Sequence, residues 1–296
     1  MRFVKSHGLG NDYLVLAAWE LPAPLDQAAV RLLCDRHVGV GADGLLLVTG
    51  RTEPYGVRIF NPDGSEAEKS GNGLRILAKY LVEEGLAVAD AFAIRTPGGE
   101  VRALVHRAEG AGGRSRVVAV TVEMGRATFA SPAVPVSGPP REVVDEPLAV
   151  DGQEIRVTAL SLGNPHCVVF VDRLDAARLE ELGPRLERHP TFPRRTNVQL
   201  ARVAAPDRIE ALVWERGVGR TLASGSSACA VAAAAVRLGR CGRRVTVVLP
   251  GGPLEVEVGD DFSLRLAGPV EGICEGRLSP DLLARLGWDR AAAGGA

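Results

Sequence analysis

Lysine and cysteine are both scarce in this 296-residue chain, with only three lysines, Lys5, Lys69 and Lys79, and five cysteines, at 34, 167, 229, 241 and 274. A pyridoxal-phosphate enzyme needs a lysine for its Schiff base, and none of the three stands in a context that marks such a site. The cysteine count is odd and no pair has CxxC spacing, which excludes a zinc knuckle and a disulfide framework. There is no GxxxxGK[ST] phosphate loop and no HExxH helix. Charge of either sign is not in excess: 35 Lys+Arg face 36 Asp+Glu, a net charge of −1. That balance argues against nucleic acid or a polybasic membrane surface as partner. No segment approaches the ~20 uninterrupted apolar residues of a membrane span. The first residues, MRFVKSHGLGNDY, lack the apolar stretch of a secretory signal. The expectation is a soluble cytoplasmic protein with a small-molecule partner, no metal and no cofactor.

Hydrophobic residues make up 46% and charged residues 24%, so a chain of this length can build about two cores. The stretch Gly39-Val40-Gly41-Ala42-Asp43-Gly44 matches GxGxxG, but a dinucleotide fingerprint follows a strand and opens a helix. Here Asp26 to Arg36 reads as an amphipathic helix and Leu45 to Val48 as a strand. The order is reversed, and the segment reads as a tight helix-to-strand turn.

An internal repeat organises the chain. Leu9-Gly10-Asn11 recurs as Leu162-Gly163-Asn164, and Pro97-Gly98-Gly99 as Pro250-Gly251-Gly252, both displaced by 153 (164 − 11, 250 − 97). Ser70-Gly71-Asn72-Gly73 lines up with Ser224-Gly225-Ser226-Ser227, and Gly85 with Gly239, both displaced by 154 (224 − 70, 239 − 85). Two copies of one α+β unit follow, roughly 1–124 and 150–270. Between them the prolines at 132, 135, 139, 140 and 147 predict an extended, poorly hydrogen-bonded connection. The tail from Ala291 reads as disordered. Val101–Val105, Val117–Val122, Val245–Leu249 and Leu254–Val258 read as strands. Leu74–Val82 and Ala228–Leu238 read as interior helices, apolar on most faces.

Each helix follows a Gly-rich turn. Its first N–H groups have no acceptor within the helix, and the macrodipole adds about half a positive charge there. Such an end binds carboxylates. Two of them, one per copy, suit a carbon next to a carboxylate, with Ser70 and Ser224 on opposite faces. One group then removes the α-proton while the other delivers one. Both serines are equally ordinary helix N-caps, and the residues alone leave the two readings open.

HGLGNDY at 7–13, RHVGVGADG at 36–44, NPDGSEAEKSGNG at 61–73, SLGNPHC at 161–167, TNVQ at 196–199 and ERGVGRTLASGSSAC at 215–229 together resemble diaminopimelate epimerase. The resemblance implies a cofactor-independent isomerase of lysine and peptidoglycan-precursor synthesis, interconverting LL- and meso-diaminopimelate. It implies an α+β fold of two pseudo-symmetric domains, each a curled, barrel-like sheet around a central helix. Residues 1–124 and 125–268 form these domains, and 269–296 return to the first. Asn11 takes the reacting amino group, and the N–H groups of Gly71, Asn72, Gly225 and Ser226 hold the reacting carboxylate. Asn61, Asn164, Asn197 and Arg216 grip the distal carboxylate, and Glu215 takes the distal amino group and assists catalysis. His166 reads locally as a structural histidine, and the resemblance places it in support of the active site. Arg216 reads locally as a surface ion pair, and its fork also suits a carboxylate. A homodimer is left open.

The family pattern has cysteine at both proton-transfer positions, where this chain has Ser70 and Ser224. A thiol titrates near ~8.5, and a helix start lowers it further. An alcohol lies about five units higher, roughly 7 kcal/mol of driving force. Partial proton transfer in the transition state reduces that to a rate loss of about a hundredfold to ten-thousandfold. The alternatives to a slowed epimerase are an amino-acid-binding protein and a racemase or dehydratase of different chemistry. Gly44 and Arg220 also depart from the family pattern, standing where glutamine and glutamate are expected.

Overall fold

The computed structural model describes residues 1–109 and 115–289; the tail from Ala291 lies outside them. The chain divides into two compact units, Met1–Val122 with Pro269–Ala296, and Glu123–Gly268. Among the described residues no helix is long and apolar enough to cross a membrane.

The first unit begins with β1 (Arg2–Gly8) and β2 (Asn11–Ala17), crosses through α1 (Gln27–Cys34) to β3 (Gly44–Val48), and continues with β4 (Tyr55–Phe60) and β5 (Glu66–Ala67). After α2 (Gly71–Glu83) come β6 (Ala91–Thr96), β7 (Gly99–Glu109) and β8 (Ser115–Arg126). β2 and β3 pair in parallel, as do β4 and β6, and the remaining neighbours are antiparallel.

In the second unit β9 (Glu146–Val150) leads into β10 (Gln153–Ser161), β11 (Pro165–Phe170), α3 (Ala176–Glu187), β12 (Asn197–Ala205), β13 (Arg208–Glu215) and β14 (Gly219–Thr221). Then follow α4 (Gly225–Arg237), β15 (Arg244–Leu249), β16 (Gly252–Val258) and β17 (Ser263–Pro269). Its parallel joints are β11 with β12 and β13 with β15, the counterparts of those in the first unit. From β10 onward the two units repeat strand for strand, including the helix at each crossover. The repeat read from four short motifs is therefore a repeat of the whole pairing scheme.

The helices after the two serines are interior ones. Residues Gly71 to Leu81 are all buried, and α2 lies against β1, β2 and β7. α4 is touched by β10, β11, β12, β13, β15 and β16, so the sheet curls around it, and its row of alanines from Ala232 to Ala235 is fully buried. Small side chains let the strands close in; larger ones would overpack that space. Both helices stop the same way. Gly85 and Gly239 have φ of +68° and +65°, a conformation that glycine adopts without strain. The next residue, Leu86 or Arg240, donates back to the carbonyl of Leu81 or Ala235, closing each C-terminus. On the other face of each sheet, α1 and α3 bury leucines such as Leu33 and Leu182.

The GxGxxG segment joins α1 to β3, with Gly41 at φ +79°, and is the helix-to-strand turn expected. The proline-rich stretch corrects the expectation of a poorly hydrogen-bonded connection. Val134, Val136 and Val143 are buried in the core of the second unit. The N–H groups of Val136, Ser137 and Val143 donate to the carbonyls of Ser131, Thr191 and Phe129. Proline removes only its own N–H; the valines between the prolines supply both apolar surface and donors.

The last strand and helix, β18 (Glu271–Arg277) and α5 (Pro280–Arg285), belong to the first unit. β18 pairs antiparallel with β1, Arg2 opposite Arg277.

Candidate active site

The candidate site residues fall into two groups, one in each unit. In the first, Ser70 caps α2: its Oγ accepts from the Gly73 N–H at 3.0 Å. The Tyr13 hydroxyl lies 3.1 Å from the same oxygen. That leaves the N–H groups of Gly71 and Asn72, the first two of the helix, without acceptors inside it.

Behind them runs a chain of polar side chains. Arg75 is fully buried and donates to Asn72 Oδ1 at 2.6 Å and to the Gly71 carbonyl at 3.4 Å. Asn72 Nδ2 donates to Asn11 Oδ1 at 3.0 Å, and Asn11 Nδ2 donates to Asp43 Oδ2 at 3.1 Å. Asp43 and Asp12 share the Arg36 guanidinium, and Lys5 reaches Asp12 at 3.0 Å. Burial pushes the Asp12 carboxyl up, but the hydrogen bonds from Arg36 and Lys5 outweigh it and bring it to about 2. Both amides are thus held in one orientation. Asn61 sits in the turn between β4 and β5, its Nδ2 donating to Ser65 Oγ at 3.0 Å.

Gly44 shows why this chain has no glutamine there. A Cβ at 44 would stand 2.5 Å from Tyr13 Cε1 and 2.7 Å from the Phe60 carbonyl oxygen. The Tyr13 ring fills the room a side chain would take.

The second group is built on the parallel pair β11 and β12, which sets His166 opposite Asn197. His166 is fully buried; Nε2 lies 3.0 Å from Asn164 Oδ1, and Nδ1 lies 3.0 Å from Gln199 Nε2. Gln199 spends its other amide hydrogen on Ser227 Oγ in the first turn of α4. The ring therefore carries its proton on Nε2 and donates to Asn164. Burial, then the nearby Arg216 charge, push its pKa down to about 3 against a weaker opposing effect of the Gln199 hydrogen bond. A neutral imidazole so enclosed positions Asn164 and does not exchange protons near neutrality. Because the unfolded chain binds this proton below about 6.5 and the folded chain only near 3, stability falls as pH drops through that window. His166→Gln should flatten that part of the pH–stability profile, measured by denaturant unfolding at pH 4 to 7.

Asn197 Nδ2 donates to the Pro165 carbonyl at 2.9 Å, and its Oδ1 accepts from the Arg216 N–H at 2.9 Å. Glu215, at the end of β13, accepts from Thr221 Oγ1 at 3.0 Å. Arg216 is exposed and donates to the Arg194 carbonyl at 3.2 Å, and among the described residues it has no carboxylate partner. Arg220 turns to Glu180 on α3 at 3.0 Å. Ser224 occupies the N-cap position of α4, is 7% exposed and makes no side-chain capping bond. The N–H groups of Gly225 and Ser226 open that helix. His166, Asn164, Asn197, Arg216 and the start of α4 are thus tied together within one unit, whereas Asn11, Asn72 and Ser70 are tied together in the other.

Tyr13, Asp43, Arg75 and Gln199 contact candidate site residues directly, and Glu187 is a further buried carboxylate beside Glu215 and Arg216; none of these is a candidate on sequence alone. Tyr13, Asp43 and Gln199 stood inside quoted motifs; Arg75 and Glu187 stood outside them. Burial pushes the Cys34 and Cys167 thiols up to about 12 and the Cys241 thiol up to about 11, so these three stay protonated near neutrality.

Comparison with known proteins places the chain in a family. The family model described as diaminopimelate epimerase matches residues 3–130 and 158–271. The chain is 42% identical over 286 residues to "Diaminopimelate epimerase 2" of Nostoc sp., covering 96% of this chain and 98% of that protein. It is 45% identical over 280 residues to the diaminopimelate epimerase of Pelotomaculum thermopropionicum, covering 93% and 98%. Among solved structures, a probable proline racemase from Agrobacterium radiobacter superposes with a TM-score of 0.68 at 15% identity, covering 95% of this chain and 93% of that one. A hydroxyproline epimerase from Agrobacterium vitis gives 0.66 at 17%, covering 100% and 98%. The last two share the fold; the first three place the sequence. This chain belongs to the diaminopimelate epimerase family.

Proposed function

We propose that the chain is a cofactor-independent amino-acid epimerase that interconverts LL- and meso-diaminopimelate in the cytoplasm. The observation that carries this reading is the mostly buried helix that starts directly after a serine in each unit, α2 after Ser70 and α4 after Ser224. Amide hydrogens at both helix starts take the reacting carboxylate and hold the charge that spreads onto it as the α-proton leaves. Ser70 and Ser224 act at the two faces of the carbon, one accepting a proton and the other delivering one. Asn11, fixed by Asn72 and Asp43, takes the reacting ammonium. Asn61, Asn164, Asn197, Glu215 and Arg216 take the distal ammonium and carboxylate, which sets the preference for a dicarboxylic amino acid.

The two hydroxyls favour a second reading, a binder of the same ligand that turns it over slowly or not at all. Incubation with LL-diaminopimelate in deuterated water separates the two. Deuterium at the α-carbon together with appearance of the meso isomer is expected of the epimerase. Ligand-dependent thermal stabilisation with no exchange identifies the binder, and release of a keto product identifies a dehydratase. Absence of both stabilisation and exchange overturns both leading readings.

A further inference from the structure

Glu187 is a buried carboxylate that the reading above does not use. It is the last residue of α3, with 3% of its side chain exposed. Its Oε2 accepts from the Trp214 indole N–H at 2.8 Å, and its Oε1 accepts from the Gly217 backbone N–H at 3.1 Å. Arg195 Nη1 lies 3.7 Å from the same Oε1. The two hydrogen bonds bracket Glu215 and Arg216, one residue before and one after. From the opposite side Asn197 Oδ1 takes the Arg216 N–H. Packing fixes the indole as well. Gly183 on α3 leaves room for it, since a Cβ there would stand 2.7 Å from Trp214 Cγ.

We propose that Glu187 is a positioning residue for distal-end recognition: it locks the 214–217 turn so that Glu215 and Arg216 are already in place before the ligand arrives. A turn held by charge-assisted hydrogen bonds at both ends loses little freedom on binding. Arg216 is itself exposed and bonded only to a carbonyl among the contacts described, so its backbone anchor decides where its guanidinium points. The inference rests on the proposed assignment of Glu215 and Arg216 to the distal ammonium and carboxylate. It makes Glu187 a determinant of which amino acid is accepted, through residues it orients and not through contact of its own.

Glu187→Gln tests it with minimal change of shape. The amide has one acceptor where two N–H donors wait, so one end of the turn is released. Binding is measured by calorimetry for meso-diaminopimelate and for 2-aminoheptanoate, which has the same reacting end but neither distal group. The variant is expected to lose tenfold or more in affinity for diaminopimelate while 2-aminoheptanoate changes less than twofold. Trp214→Phe keeps the ring on Gly183 and removes only the indole N–H; a loss of two- to fivefold in the same selective pattern is expected. Equal losses for both ligands, or none in either variant, overturn the proposal, because a merely structural carboxylate would not separate the two ends. A parent chain that binds no diaminopimelate overturns it together with the functional reading, whereas a parent that binds and a variant that binds equally overturn it alone.

Discussion

Restoring thiols at both helix starts, Ser70→Cys with Ser224→Cys, is expected to raise epimerisation by about a hundredfold to ten-thousandfold. The surroundings are already suited to a thiolate. At position 70 the Gly73 N–H and the Tyr13 hydroxyl converge on the side-chain oxygen. At position 224 the side chain caps nothing and is almost enclosed. A thiol placed there starts near ~8.5, and the helix dipole and N–H donors favour its anion. The two changes should act together and not additively, because inversion needs a competent group on each face. Each single exchange should therefore yield little epimerisation. The measurement is the rate of appearance of the meso isomer, with deuterium incorporation as the check on each face. No rise in the double variant would mean that acidity at these positions does not limit the chain.

The largest effect on stability is expected from Arg75→Met. The substitution keeps the length of the apolar stem and removes the guanidinium. Asn72 Oδ1 and the Gly71 carbonyl then lose their buried donor. The Gly71 carbonyl keeps its helical N–H partner, but Asn72 Oδ1 left without a donor costs about 1–3 kcal/mol, and a drop of roughly 3–10 °C in melting temperature follows for a unit of this size. Function should fall further than folding. Released from Arg75, the Asn72 amide no longer has a fixed orientation, and Asn11 loses the donor that orders it. Displacement of that kind at a reacting centre costs on the order of a hundredfold. Thermal unfolding and exchange kinetics on the same preparation check both parts. A variant with full activity and a lowered melting temperature would confine Arg75 to a structural role.

The sequence was most legible where local chemistry decides the outcome. Ser-Gly at 70–71 and 224–225 marked helix starts, and Gly85 and Gly239 marked helix ends, because caps depend on a few adjacent residues. The turn at 39–44 was legible from element order alone. The core of the site was less so. Glu187 meets Trp214 and Gly217 only once α3 folds against β13, and Gln199 meets His166 only through the parallel register of β11 and β12. Nothing near Glu187 in sequence distinguishes it from the surface glutamates Glu180 and Glu181 of the same helix. The stretch at 131–147 misled because its prolines outweighed, by eye, the valines between them. The serines remain the clearest departure, visible in the motif and unexplained by any contact in the fold.

Unit one is stitched from both chain ends: β1 takes β18 as its neighbour, and the Leu278 N–H reaches the Met1 carbonyl. Residues 123–268 are one continuous stretch, whereas the first unit needs β18, which follows them in the chain. The second unit can therefore close as an uninterrupted stretch, while the unit holding Ser70 stays open at one border until β18 joins it. A chain cut after Val270 would leave β1 without its β18 neighbour while every strand of the second unit is present.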